Sequence, residues 1–251
     1  MNVNRDVKTA GRTLALFEAF RRTRAPMTLT RLAAELGAPI SSCHGLVRTL
    51  SARGYLYTSE RTRTIYPTKR LFEIAETIAL HDPILERVGP VLAELRDATG
   101  ETILLGRRQG DAVIYLDVVE GRHTVRYSAR PGDIKPLHSS AIGKALLGRL
   151  APDERADLFA RAPLARYTPA TIVDVAALEA DLAVGAARGW FATHGENVAD
   201  VMGMAATADA GGEVLGLAIA APLARAEANE AAYARALLAA RDAIEMRSAA
   251  A

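Results

Sequence analysis

The sequence predicts an α+β chain in two parts, a small helical front with a hairpin and a larger back domain on a mainly antiparallel sheet. Three observations carry this expectation. Residues 28–54, TLTRLAAELGAPISSCHGLVRTLSARG, hold two short amphipathic segments around a glycine and a proline. Charge is divided along the chain, with 13 Lys and Arg against 6 Asp and Glu in residues 1–80, and 18 against 23 in the remainder. Beyond residue 100, runs of strand-forming residues are set apart from helical stretches, the pattern of an α+β sheet domain.

In the front, Leu14, Leu16, Phe17 and Phe20 predict a first helix over residues 7–22, packed beneath the pair. Residues 30–36 form the next helix, with Leu32, Ala33 and Leu36 on one face, Thr28 or Thr30 as a hydroxyl N-cap and Gly37 ending it. A further helix begins after Pro39, whose missing N–H would have no partner at a first helical position. Its Ile40, Cys43, Leu46, Val47 and Leu50 recur at three- and four-residue spacing and are expected to turn inward. The opposite face presents Ser41, Gly45, Arg48 and Ala52, flanked by Ser42, His44 and Thr49. Such a small, polar, basic surface suits a groove lined with phosphates and base edges.

Residues 54–67 follow with Tyr55, Tyr57, Ile65 and Tyr66 among threonines, and a turn over 59–62, which predicts a hairpin. Helix, turn, helix and hairpin make a winged helix, and the basic balance of this part suits a polyanion. The expected contacts with double-stranded DNA are Arg12, Thr28, Thr30, Ser41, Ser42, His44, Gly45, Arg48, Arg61 and Arg63. The two hairpin arginines are expected on backbone phosphate, with plain solvation as the alternative.

Residues 69–80 carry Leu71, Ile74, Ala75, Ile78 and Ala79 as a helical stripe with no partner in so small a front domain. They are read as a linker helix that packs against a second copy of the chain. The expected division is 1–68 for the winged helix, 69–81 for the linker and 82–251 for the back domain. There, an amphipathic helix over 84–99 precedes three strands at 102–108, 112–120 and 123–129, read as a meander. A serine-capped helix over 137–150 starts from a Pro- and Gly-bearing loop, and helices over 153–161 and 174–188 follow. Strands at 190–194, 198–208 and 213–221 and a helix over 224–247 complete the chain.

Half of the residues are hydrophobic and the mean hydropathy is +0.07, which provides material for a core and excludes a disordered composition. No apolar run reaches the roughly 18 residues of a membrane helix, and residues 1–12 carry no hydrophobic signal core. The expectation is therefore a cytoplasmic protein with no membrane partner. The single Cys43 excludes an internal disulfide and argues against a cysteine metal site. His44, His81, His123, His138 and His194 are scattered without metal-ligand spacing. Ser140 and Lys144 miss the S-x-x-K spacing, and no G-x-S-x-G elbow occurs. Neither an enzyme, nor a metal, nor a cofactor is expected.

The motifs together resemble the isocitrate lyase regulator (IclR) family of bacterial transcription factors across nearly the whole chain. The segment MTLTRLAAELGAPISSCHGLVRTLSARGYL is similar to the family's winged-helix signature, whereas LHSSAIGKALLG, RYTPATIVDVAALEADL with RGW, and LGLAIAAPL resemble its later signatures in order. The resemblance implies a GAF-like small-molecule domain that controls DNA binding, as dimers or tetramers on palindromic operators. It implies a repressor, with an activator as the runner-up; an architectural DNA binder without effector is a more distant alternative. Two departures stand out: Gly45 replaces the usual recognition-helix arginine, and Ala218 and Ala220 replace hydroxyl residues of some members.

The backbone N–H groups of Ser139, Ser140, Ala141 and Ile142 at a helix start suit a carboxylate. A serine that merely caps its own helix is the competing reading, and the family's effector position favours the ligand. Ala218 and Ala220 share a strand face and leave room for a bulky body. Tyr127, Met202 and Met204 are candidates for an apolar wall or plain core, while His194 and Glu196 are candidates for a distal polar contact. The expected effector is an aromatic or otherwise bulky carboxylate, or a close derivative.

Overall fold

The computed structural model describes residues 7–161 and 163–249; residues 1–6, part of the stretch read above as lacking a signal core, lie outside the described residues. The chain divides into two compact units on either side of the Asp82–Pro83 bond.

The first unit contains α1 (Lys8–Thr23), β1 (Met27–Thr28), α2 (Leu29–Glu35), α3 (Ile40–Ala52), β2 (Leu56–Thr58), β3 (Thr64–Pro67) and α4 (Arg70–Leu80). The strands form an antiparallel sheet of order β1-β3-β2. Leu16 and Phe20 of α1, Leu32 of α2, and Cys43, Val47 and Leu50 of α3 meet Leu56 and Ile65 of the hairpin in one core. Thr28 both pairs with β3 and caps α2, its Oγ1 accepting from the Arg31 N–H at 3.3 Å, so Thr30 is not the cap. Pro39 is the N-cap residue of α3 and not its first helical residue. Two expected core residues point outward, Leu14 at 69% and Ile40 at 52% exposure. The short α3 buries only the stripe 43, 47 and 50, and Ile40, at its first position, overhangs that contact. All of α4 is exposed, Leu71, Phe72, Ile74, Ile78 and Leu80 included.

The second unit contains α5 (Pro83–Thr99), β4 (Thr102–Gln109), β5 (Ala112–Val119), β6 (Ile134–Pro136), α6 (Ala141–Gly148), α7 (Pro152–Arg161), α8 (Val175–Arg188), β7 (Phe191–His194), β8 (Val201–Ala210), β9 (Glu213–Pro222) and α9 (Leu223–Ala249). Six strands form one antiparallel sheet in the order β6-β5-β4-β9-β8-β7. On one face, α5 and α9 bury Val88, Leu92, Tyr233 and Leu237 against Ile103, Met202, Met204, Leu217 and Ile219. On the other, α6, α7 and α8 bury Ile142, Leu146, Leu158, Leu178 and Leu182 against Leu104, Ala205, Ala218 and Ala220. The result is a three-layer arrangement with the sheet covered on both sides.

The expected strand over 123–129 is not formed. Two carbonyls of that segment are taken by side chains: Arg225 Nη2 donates to Val125 O at 2.8 Å and Thr102 Oγ1 to Tyr127 O at 2.6 Å. The chain then turns at Gly132, whose N–H donates to Tyr115 O at 2.7 Å, and residues 134–136 pair with β5 in its place.

Candidate functional site

In the first unit the exposed side of α3 presents Ser41, His44 and Arg48, with Ser42 and Gly45 half-buried beside them. A groove of about 840 Å³, mouth included, runs between α1 and α3 and brings Arg12, Ser42, Gly45 and Arg48 together with Thr9, Thr13 and Thr49. Thr28 and Thr30 are exposed at the start of α2, and the Thr28 hydroxyl is engaged as its cap. Arg61 and Arg63 stand exposed at the hairpin tip, Arg63 in the left-handed region at φ 52°. Arg21 and Arg22 are paired with Glu18 and Glu35. Among the described residues Arg12, Arg48, Arg61 and Arg63 have no carboxylate partner, so their charge is available to an outside anion. Nothing lies within 4 Å of where a Cβ at Gly45 would stand. Packing within the chain therefore does not require glycine there.

In the second unit α6 starts directly from the loop after β6. Ser140 caps it, Oγ accepting from the Gly143 N–H at 3.2 Å and donating to Pro136 O at 2.6 Å. A Cβ on Gly143 would lie 2.2 Å from Leu137 O, so glycine lets the loop cross the helix closely. Between this first turn and the sheet lies a cavity with about 410 Å³ of empty space, mouth included. Ser139, Ser140, Ala141 and Ile142 form one side, and Leu104, Gly203, Ala218 and Ala220 line it from the sheet. Tyr115, Tyr127, Thr193, Asn197, Val198 and Val201 complete it, and no charged side chain is among these residues. Burial pushes the Tyr115 phenol up, reinforced by Tyr127, so the Tyr115 hydroxyl stays neutral.

Two hydroxyls here remain free to donate. Ser139 Oγ accepts from Asn197 Nδ2 at 3.4 Å but donates to no described residue. Thr193, 5% exposed, has an Oγ1 with no hydrogen bond to any described residue. A Cβ at Gly203 would stand 3.0 Å from that oxygen, 2.9 Å from Ala141 Cβ and 4.0 Å from Ala141 N. The missing side chain thus lets β8 approach the start of α6 and the Thr193 hydroxyl closely.

Seven of the expected residues meet in this cavity: Tyr127, Ser139, Ser140, Ala141, Ile142, Ala218 and Ala220. Three do not. Met202, like Met204, is fully buried on the opposite face of the sheet, because Gly203 takes the cavity-facing position of β8. His194 points to the surface near Glu227, and its neighbour Thr193 faces the cavity instead. Glu196 turns into the protein to pair with Lys144.

Among the described residues that pair is the most buried ion pair of the unit. Lys144 is 0% exposed, and its Nζ lies 2.6 Å from Glu196 Oε1, 2.7 Å from Asp181 Oδ2 and 3.3 Å from Ala192 O. Burial pushes the Glu196 carboxyl up against the opposing pull of Lys144, and its Oε2 has no partner among the described residues. A second buried carboxylate, Glu101, is held by Arg225 and by Tyr233 OH at 3.0 Å. Burial and that contact push the Tyr233 phenol up to about 12.

His138, beside the cavity, is 7% exposed, with Nε2 2.9 Å from Ala165 O. Burial holds its pKa below the usual 6.5, only partly offset by that bond, with Lys144 adding repulsion. Below about pH 6.5 the unfolded chain therefore takes up a proton that the folded chain refuses. Stability is expected to fall from this source between pH 7 and 5.5, and His138→Gln to flatten the decline, as measured by urea midpoints. Gly45→Ala should raise stability by about 1 kcal/mol, since a helix gains from alanine and the space is open; thermal unfolding measures it.

Comparison with known proteins agrees with this fold. The family model of the IclR helix-turn-helix domain matches residues 9–60, and that of the bacterial transcriptional regulator IclR C-terminal region matches residues 77–246. The HTH-type transcriptional regulator BhcR of Paracoccus denitrificans is 33% identical over 201 residues, covering 79% of this chain and 72% of that protein. The transcriptional repressor IclR of Escherichia coli is 30% identical over 187 residues, covering 73% and 68%. The structure of an IclR homologue from Microbacterium hydrocarbonoxydans, complexed with 4-hydroxybenzoate, shares the fold with a TM-score of 0.78 at 24% identity, covering 97% of this chain and 100% of that one. The chain belongs to the IclR family of bacterial transcriptional regulators.

Proposed function

We propose that this regulator is a repressor of a catabolic operon, released or retained by an aromatic or otherwise bulky carboxylate. One observation carries the effector class: the cavity joins the N-terminus of α6 to a floor of Gly203, Ala218 and Ala220 with aliphatic and tyrosine walls. The first-turn N–H groups and the Ser139 and Thr193 hydroxyls meet the carboxylate. The small floor accepts a flat body that a sugar's hydroxyls would leave unsatisfied. A relative complexed with 4-hydroxybenzoate and another named as a repressor support the reading.

On the DNA side, Arg48 reads base edges from α3, while Arg12, Arg61 and Arg63 meet phosphates. Thr28, Thr30, Ser41, Ser42, His44 and Gly45 complete the contact face. We assign 1–68 to DNA binding, 69–81 to a linker and 82–251 to sensing, within a cytoplasmic homodimer or homotetramer. The apolar side chains exposed along α4 support pairing with a second copy. Effector binding changes operator occupancy only by preferring one arrangement of that oligomer.

A thermal-shift panel tests the effector class. Aromatic acids are expected to stabilise the protein, by about 2.7 kcal/mol at a hundredfold excess over Kd; stabilisation by small keto acids or sugars alone would refute the assignment. On operator DNA, Arg48→Ala should cost about 1–3 kcal/mol and relax base preference at one position. Arg63→Ala should weaken all sequences alike and lower the salt slope by about one. Equal, sequence-independent losses in a titration of both variants would remove Arg48 from base readout.

A further inference from the structure

We propose that Lys144, which does not line the cavity, positions its rim by holding the 195–198 segment against α6 through Glu196. This rests on the cavity being the effector site. Residues 197 and 198 of the segment line the cavity. Its turn is tight: Gly195 has φ 66°, and a Cβ there would lie 2.5 Å from Ala199 O. From one side the backbone is tied by hydroxyls, Thr168 Oγ1 donating to Gly195 O and Thr171 Oγ1 to Glu196 O, both at 2.7 Å. The turn also closes on itself, the Gly195 N–H donating to Val201 O at 2.9 Å and the Val201 N–H to Val198 O at 3.1 Å; toward α6, the Glu196 side chain is its charged tie, and it ends on Lys144.

The three ammonium protons of Lys144 meet three acceptors on three pieces of structure. Glu196 belongs to the rim, Ala192 O to β7 just before the cavity residue Thr193, and Asp181 to α8. Lys144 itself lies on α6, one turn beyond Ala141 and Ile142, which line the cavity. One side chain therefore sets the distance between the helix start, the strand carrying Thr193 and the loop carrying Asn197. Asn197 Nδ2 reaches Ser139 Oγ at 3.4 Å, a contact that depends on where Glu196 is anchored.

Stability alone does not demand this arrangement, because a buried ion pair can often be replaced by apolar side chains without loss, whereas removing one partner leaves a buried charge. The test exploits that difference. In Lys144→Met/Glu196→Leu the core is filled by apolar groups, and Asp181, whose side chain is 35% exposed, remains in reach of solvent. Hydrogen exchange is followed in the full chain, and calorimetry measures binding of benzoate, 4-hydroxybenzoate and phenylacetate. The expected result is a melting temperature and ligand-free operator affinity close to the parent. Amide exchange at 195–198 rises about tenfold or more, β8 and β9 do not change, and acid affinity falls about tenfold or more. Should the double variant not fold, Glu196→Gln, which keeps the shape and removes the charge, carries the same comparison. Unchanged exchange at 195–198, or acid binding within twofold of the parent, would overturn the inference. If no acid binds the parent but exchange rises as expected, the positioning role stands and the aromatic carboxylate assignment fails.

Discussion

The sensing unit depends on a lysine buried completely between a helix and a sheet. Removing an ammonium group from water costs several kcal/mol, which only close and complete pairing offsets. Lys144 obtains that pairing from Glu196, Asp181 and the Ala192 carbonyl, so those groups cannot drift without exposing an unmet charge. A second buried node has the same logic. Glu101, 0% exposed, is matched by Arg225 and Tyr233, and Arg225 also takes the Val125 carbonyl. Next to it, Thr102 holds the Tyr127 carbonyl. The first node holds the loop of the Asn197 wall, and the second holds Val125, two residues before the Tyr127 that Thr102 secures. The residues lining the cavity carry no charge, yet the segments that bring its walls together are anchored in part by charges buried outside it.

The helices of this chain were legible because most present one face to water. A stripe such as Cys43, Val47 and Leu50 against Ser41, His44 and Arg48 is a direct record of which side is buried. Errors fell at the start of α3, where Ile40 overhangs a short contact and Pro39 precedes the first turn, and at Leu14, exposed in the middle of α1. Strand facing was harder to read for a physical reason. Both faces of the six-stranded sheet are covered, so alternate residues of β8 are buried equally: Met202 and Gly203 are both inside the protein. Hydropathy then carries no parity, and a one-residue difference exchanges Met202 for Gly203 and His194 for Thr193. Ala218 and Ala220 of β9 do line the cavity, a facing that the family resemblance suggested and hydropathy does not record.

Residues 123–129 and Glu196 escaped sequence reasoning for a different cause. Both are fixed by partners more than fifty positions away: Arg225 to Val125 and Lys144 to Glu196. Local alternation in HTVRYSA favours a strand, but a strand needs a neighbour with free ladder groups. Side chains had already taken two of its carbonyls. Glu196 carried a usable signal in retrospect, since a buried carboxylate requires a cation and Lys144 sits within an otherwise apolar helix.

The absence of charged side chains around the cavity bears on how an acid is told from its analogues. On the proposed reading, a carboxylate there is met by helix N–H groups, whose combined effect amounts to about half a charge, and by the hydroxyls of Ser139 and Thr193. These donors serve any carboxylate equally well, so they supply affinity for the class and little choice within it. Choice falls to the body of the ligand, through Leu104, Gly203, Ala218, Ala220 and the two tyrosines, where one methylene more or less is worth about 1–3 kcal/mol. A regulator built this way separates acids by shape. It also responds to how firmly its rim is held, because N–H groups and hydroxyls act over hydrogen-bond distances, whereas a point charge would tolerate a displaced ligand.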